Sequence, residues 1–210
     1  MWQRFKVQAF QNIRKYFLLY SIILFFFIMG VATGTFTIKS IPEPQKKEVA
    51  QYMNSFLSSI VNQQVNTWLI FKESLLSNLQ IVIIMTLMGM FIYTMPLIFI
   101  LIGIRGFYIG FTVGFLISEL GFKGVLLVIL GILPQNIIIL PCLLLCGAVT
   151  VNHAMNTFKS KRIKQSRYEK IKYLTPFIFT MCRIFLVILL GIAIETAFVP
   201  FILKAIISII

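Results

Sequence analysis

Few residues in this chain can do chemistry in an apolar phase, and most of them lie between Gly103 and Asn136. Arg105, Glu119, Lys123, Gln135 and Asn136 interrupt a run otherwise rich in Phe, Ile, Leu, Val and Gly. An arginine in such a setting binds a lipid headgroup or pairs with a carboxylate. An amide satisfies a freed backbone carbonyl or lines a polar cavity. The same stretch holds seven of the twelve glycines, and Pro134. Lipid tolerates charge and broken backbone only where protein packs around them. A function is therefore expected here.

Catalytic chemistry finds little support. His153 is the one histidine, there is no Asp, and the six acidic residues are scattered. No two of them sit close on one expected helix, so paired-carboxylate chemistry lacks its groups. HExxH, GxSxG, the P-loop and GxGxxG are all absent. His153 reads as a packed or interfacial residue. Cys142, Cys146 and Cys182 lie in apolar runs, and the first two share a helix face. They read as small core residues, because a zinc site needs further ligands nearby. No enzyme activity, cofactor or metal is expected.

Composition sets the phase in which these residues work. Of 210 residues 59% are hydrophobic and 12% charged, against about half and a quarter for soluble domains. The chain is expected to be an all-α integral membrane protein of about five transmembrane helices. The net charge of +13 points to positive-inside loops and contact with anionic membrane lipids. Nucleic acid is not expected as a partner, because the basic residues flank apolar spans.

The elements that must position these residues follow from the pattern. Residues 1–16 carry Trp2, Phe5, Ala9 and Ile13 at helical spacing with basic residues between, which fits a cytoplasmic amphipathic segment. Residues 17–38 are the first span, with a GxxxG at Gly30 and Gly34. Residues 39–77 open at Pro42 and Pro44 and read as an outer amphipathic segment of one or two helices, resting on the outer membrane surface, on a partner or on the chain's own spans. Residues 78–158 hold spans two to four, with breaks expected at 103–106 and 134–136. Within them, 79–102 reads as the second span, 106–118 as a short third and 124–151 as the fourth. The alternative places a turn at Pro96 and buries Arg105 inside a third span over 97–118; the first division is preferred because it counts Arg105 as an inside charge. A basic cytoplasmic loop at 159–175 precedes a fifth span and an apolar outer tail over 176–210. Four crossings between the two basic segments put the N-terminus in the cytoplasm and the C-terminus outside.

Gly106, Gly110 and Gly114 stand four apart and make a groove for a neighbouring helix. Its occupant is another span of this chain, a second copy in a homo-oligomer, or a partner's helix. Arg105 stands one residue before the groove, as an interfacial anchor, a headgroup ligand or the partner of an acid such as Glu119. Fourteen residues separate it from Glu119, about 21 Å of helix, so the two cannot pair within one straight helix. Pro134 frees carbonyls near Leu130 and Gly131, which the amides of Gln135 and Asn136 can satisfy. The competing reading is a polar site facing a cavity or partner. Arg183 is expected to snorkel inward, and Glu195 to meet Lys204.

GFTVGFL at 110–116 followed by LPQNIIILP at 133–141 resembles the stage II sporulation protein M family of endospore-forming bacteria. The likeness covers essentially the whole chain. It implies a non-enzymatic, multi-pass scaffold in the mother-cell membrane at the sporulation septum. There such proteins anchor stage II sporulation proteins D and P, a lytic transglycosylase and an amidase/endopeptidase, for septal peptidoglycan hydrolysis during engulfment. The residues alone also fit a small permease or channel with a polar site near Arg105, Gln135 and Asn136, as broken helices build in transporters.

Overall fold

The computed structural model describes residues 17–61, 67–161 and 167–209. The amphipathic segment expected at 1–16 lies outside the described residues. So do the side chains of Gln135, Glu195 and Lys204 and the expected contact between the last two. Among the described residues there is no strand, and five helices are long and apolar enough to cross a membrane. Helix α1 is Phe17–Ser40, α2 is Glu43–Val61 and α3 is Thr67–Met88. A 3-10 turn at Ile92–Thr94 leads into α4, Met95–Leu120. The short α5, Phe122–Leu127, continues through a π-helical turn at Val128–Ile132 into α6, Leu133–Lys161. Helix α7 runs from Arg167 to Ile209.

The core sits around α6, half of whose span is buried, against 17–28% in the other four. Ile139, Leu143, Cys146 and Val151 meet Ile23 from α1, Met85 from α3, Ile98 and Ile102 from α4, and Ile188 and Ile192 from α7. Lipid tails are as apolar as these side chains, so burial alone does not hold the helices together. Close van der Waals packing and interhelical hydrogen bonds must.

The second span lies earlier than 79–102: it is Trp68–Met88, so residues 68–77 belong to a membrane helix and α2 alone forms the separate amphipathic element. The reason is a turn built almost wholly of apolar residues. At its start a side chain on Gly89 would press on Phe177 Cζ at 2.8 Å and Thr150 Cγ2 at 3.2 Å. Thr94 Oγ1 closes the turn by donating to Met88 O at 2.5 Å and Phe91 O at 2.6 Å. Pro96 then falls in the first turn of α4, where its missing N–H costs nothing. Phe91 and Tyr93 are exposed, as aromatics at a membrane interface are.

Nor is there a break at 103–106: α4 is continuous through Arg105 and its glycines, and the third span is 26 residues rather than thirteen. The expected break at 134–136 is also displaced. The helix persists there, and the irregularity falls just upstream, where Leu133 N–H donates to Val128 O five residues back. Pro134 cannot donate to Leu130 O and its ring crowds that carbonyl, so the preceding turn widens. The fourth span becomes Asn136–Phe158, preceded by the shorter apolar helix Phe122–Ile132. Gly121, at φ 56, reverses the chain between α4 and α5. A side chain on Gly124 would collide with Leu116 O, so α5 folds back directly onto α4. Most of the basic segment at 159–175 is helical, shared between the ends of α6 and α7, and α7 continues unbroken past Pro200.

Candidate functional site

The glycine groove of α4 is filled from within the chain. Gly30 and Gly34 of α1 mesh with it, in parallel register. A side chain on Gly30 would strike Gly103 O, and one on Gly34 would strike Phe107 O. From the other side, Gly106 faces Phe27 O and Gly110 faces Val31 O, both too close for any Cβ. At Gly114 the obstacle is softer, Ile38 Cδ1 at 2.6 Å. Backbone thus touches backbone along more than two turns. Thr35 Oγ1, within 3.0 Å of Val31 O on its own helix, also reaches Gly110 O at 3.2 Å across the pair. Phe26 stacks on Phe99 at one end, centroids 5.3 Å apart.

Arg105 turns away from this seam toward α3. Its guanidinium donates to Asn78 Oδ1 at 3.2 Å, and Asn78 Nδ2 donates to Ser74 O at 2.9 Å. Asn78 is 2% exposed, so its amide is fully withdrawn from the surroundings. Counting ten residues back from Met88 and ten on from Met95 puts both groups about 15 Å from the turn, near mid-span. Two polar groups of high individual cost thereby share a hydrogen bond at equal depth, which offsets part of that cost. The sequence reading missed Asn78. Its signal was an amide at the start of the apolar run from Leu75 to Met88, close to Ser77 and Gln80.

Beside Arg105, a void with room for about one water is lined by Phe27, Met85, Ile102 and Leu143 among others. Asn136 is not part of it. Asn136 Nδ2 donates to Ile132 O at 2.8 Å and so repairs its own helix beside Pro134. Arg105 and Asn136 are therefore not brought together. Cys142 and Cys146 are buried in the core, while Cys182 is exposed on α7. His153 stacks on Phe177 at 4.1 Å with Thr157 Oγ1 3.4 Å from Nε2, tying α6 to α7. Among the described residues no three His, Cys, Asp or Glu are grouped as metal ligands.

Glu119 meets neither Arg105 nor another buried cation. At the end of α4 its Oε1 binds Lys46 Nζ of α2 at 2.9 Å. This contact crosses 73 residues of sequence, and nothing in the pattern announced it. The hydrogen bond from Lys46 to Glu119 raises the lysine pKa above its ordinary 10.5. A raised lysine stabilises the docked state below that value and loses its effect as pH climbs past it. Docking of α2 should accordingly not weaken through lysine deprotonation until pH exceeds 10.5. Lys46→Glu is expected to loosen α2 from α4, and Lys46→Glu with Glu119→Lys to restore it. Cysteine crosslinking between α2 and the end of α4 reads both outcomes, and an equal yield in all three proteins would refute the tether.

Five apolar helices, α6 with the other four around it, a backbone-to-backbone helix pair and a hydrogen-bonded polar pair at mid-span define a multi-pass α-helical membrane protein. The chain belongs to the family described as Stage II sporulation protein M, SpoIIM, whose model matches residues 23–200. Membership suggests a membrane protein of sporulation. No curated protein and no solved structure matches the chain. The two motifs that carried the resemblance fall at the α1–α4 seam and at the opening of α6.

Proposed function

We propose that the chain is a non-catalytic membrane scaffold that holds septal peptidoglycan hydrolases in place during engulfment. The cell membrane at the sporulation septum, on the mother-cell side, is its expected location. The N-terminus would be cytoplasmic and the C-terminus outside, so that α2 lies on the side of the wall. Its partners would be stage II sporulation proteins D and P, as the family resemblance implies. The observation that carries this reading is α2 itself. It stands outside the spans, is tied to the bundle by Lys46 and Glu119, and leaves Lys47, Glu48 and Tyr52 exposed. A permease finds less support, since the void at Arg105 takes only about one water.

Affinity purification of the full-length chain from membranes of sporulating cells tests the proposal. Both hydrolases should be recovered, and recovery should fall when Lys47→Glu and Tyr52→Ala are combined, with the chain still in the membrane. Undiminished recovery with that variant would remove α2 as the contact. Failure to recover either hydrolase with the unaltered chain would overturn the scaffold.

A further inference from the structure

Arg183 is a mid-membrane charge that the chain leaves facing outward. It lies nine residues from Leu174 and eleven from Ile194, which bound the fifth span among the described residues. Its side chain is exposed, and among the described residues it makes no hydrogen bond or ion pair. The inner end at Leu174 is about 14 Å away, farther than an arginine side chain extends. Arg105, at similar depth, has Asn78; Arg183 has no counterpart of that kind. Intramembrane cations normally face a protein interior and pair with a carboxylate. Pro176, Phe179, Leu186, Leu190 and Ala193 are exposed along the same face at three- and four-residue steps, so a helix laid along α7 there would meet Arg183 near its centre.

We infer that this face of α7 receives a transmembrane helix of another protein, one carrying a carboxylate near mid-span that neutralises Arg183. The chain itself has no carboxylate at that depth to offer from a second copy. Glu43 and Glu48 are on α2, Glu119 is bound to Lys46, and Glu169 and Glu195 lie 14 and 12 residues along α7 itself. Glu73 is exposed on α3 but only five residues from Trp68, about 8 Å inside its end, against about 16 Å for Arg183 from the same side. The inference stands apart from the identity of the hydrolases, and it holds whether or not they are the partners.

The test uses the full-length chain in phosphatidylcholine vesicles with synthetic Leu/Ala transmembrane peptides that differ at one central residue, Asp, Leu or Lys. Energy transfer between labelled chain and labelled peptide reports association. The Asp peptide should bind roughly three- to ten-fold more tightly than the Leu peptide. Arg183→Leu should abolish that preference, and Arg183→Glu should transfer it to the Lys peptide. The exposed position makes both variants compatible with folding, which helical content by circular dichroism verifies. Equal binding of Asp and Leu peptides, or a preference that survives Arg183→Leu, overturns the inference. Self-association lost in both Arg183→Leu and Glu73→Gln would give the face to a second copy. Suppression of the Asp preference by added phosphatidylglycerol would give Arg183 to a lipid phosphate. Either result overturns the inference as well.

Discussion

Gly110→Leu is expected to drive α1 and α4 apart while leaving the chain in the membrane. The first atom of the new side chain would meet Val31 O, and no rotamer moves a Cβ. Overpacking a core of side chains costs about 1–3 kcal/mol. A clash with main chain has no flexible end to yield, so the loss should reach at least the top of that range. Gly106→Ala should behave similarly, because its Cβ would meet Phe27 O. Gly103→Ala is the control, as its nearest neighbour is Phe26 O at an ordinary 3.5 Å. Reversible unfolding of the purified proteins in mixed detergent, followed by helical content, ranks the three. Equal stability of Gly103→Ala and Gly110→Leu would mean that the seam is not held by backbone contact.

The second large effect is expected at the polar pair. Asn78→Leu deprives the Arg105 guanidinium of its amide acceptor near mid-span. Losing one half of a buried, charged hydrogen bond should cost roughly 2–4 kcal/mol. Adding Arg105→Leu should recover most of that loss, since two apolar chains then replace two polar ones. The four proteins form a double-mutant cycle in the same unfolding assay. Strict additivity would show that the two residues do not act together.

These two features also mark how far the sequence could be read. Hydropathy carried the number of spans and their helical class, because lipid imposes length and composition on each. It misplaced the second and third spans for two linked reasons. The turn at 89–94 contains Met, Phe, Ile and Tyr rather than polar residues, so it passed for span interior. Arg105 was assigned to an interface because a lone charge belongs there. Its depth makes sense only beside Asn78, a residue 27 positions away that periodicity cannot pair with it. The glycines at 106, 110 and 114 were legible as a close-packing face. Which helix lay against them was not, because a groove specifies the shape of its occupant and not its origin. Pro134 was legible as a disturbance, but where the extra residue of the π turn would fall was settled by packing around it.

The parallel pairing of α1 with α4 also sets an order of events during synthesis. Thr35 and Gly110, which touch in the finished protein, are 75 residues apart. At about 5–20 residues per second, the first helix waits roughly 4–15 s for the surface it fits. Throughout that interval its Gly30–Gly34 face is open to any helix nearby. Neither α2 nor α3 offers it a glycine: the chain has none between Gly34 and Gly89. The intervening sequence thus contains no internal decoy for the first helix. A nascent chain halted before Gly106 would be left with an unfilled groove, and that is the form most exposed to capture by the wrong neighbour.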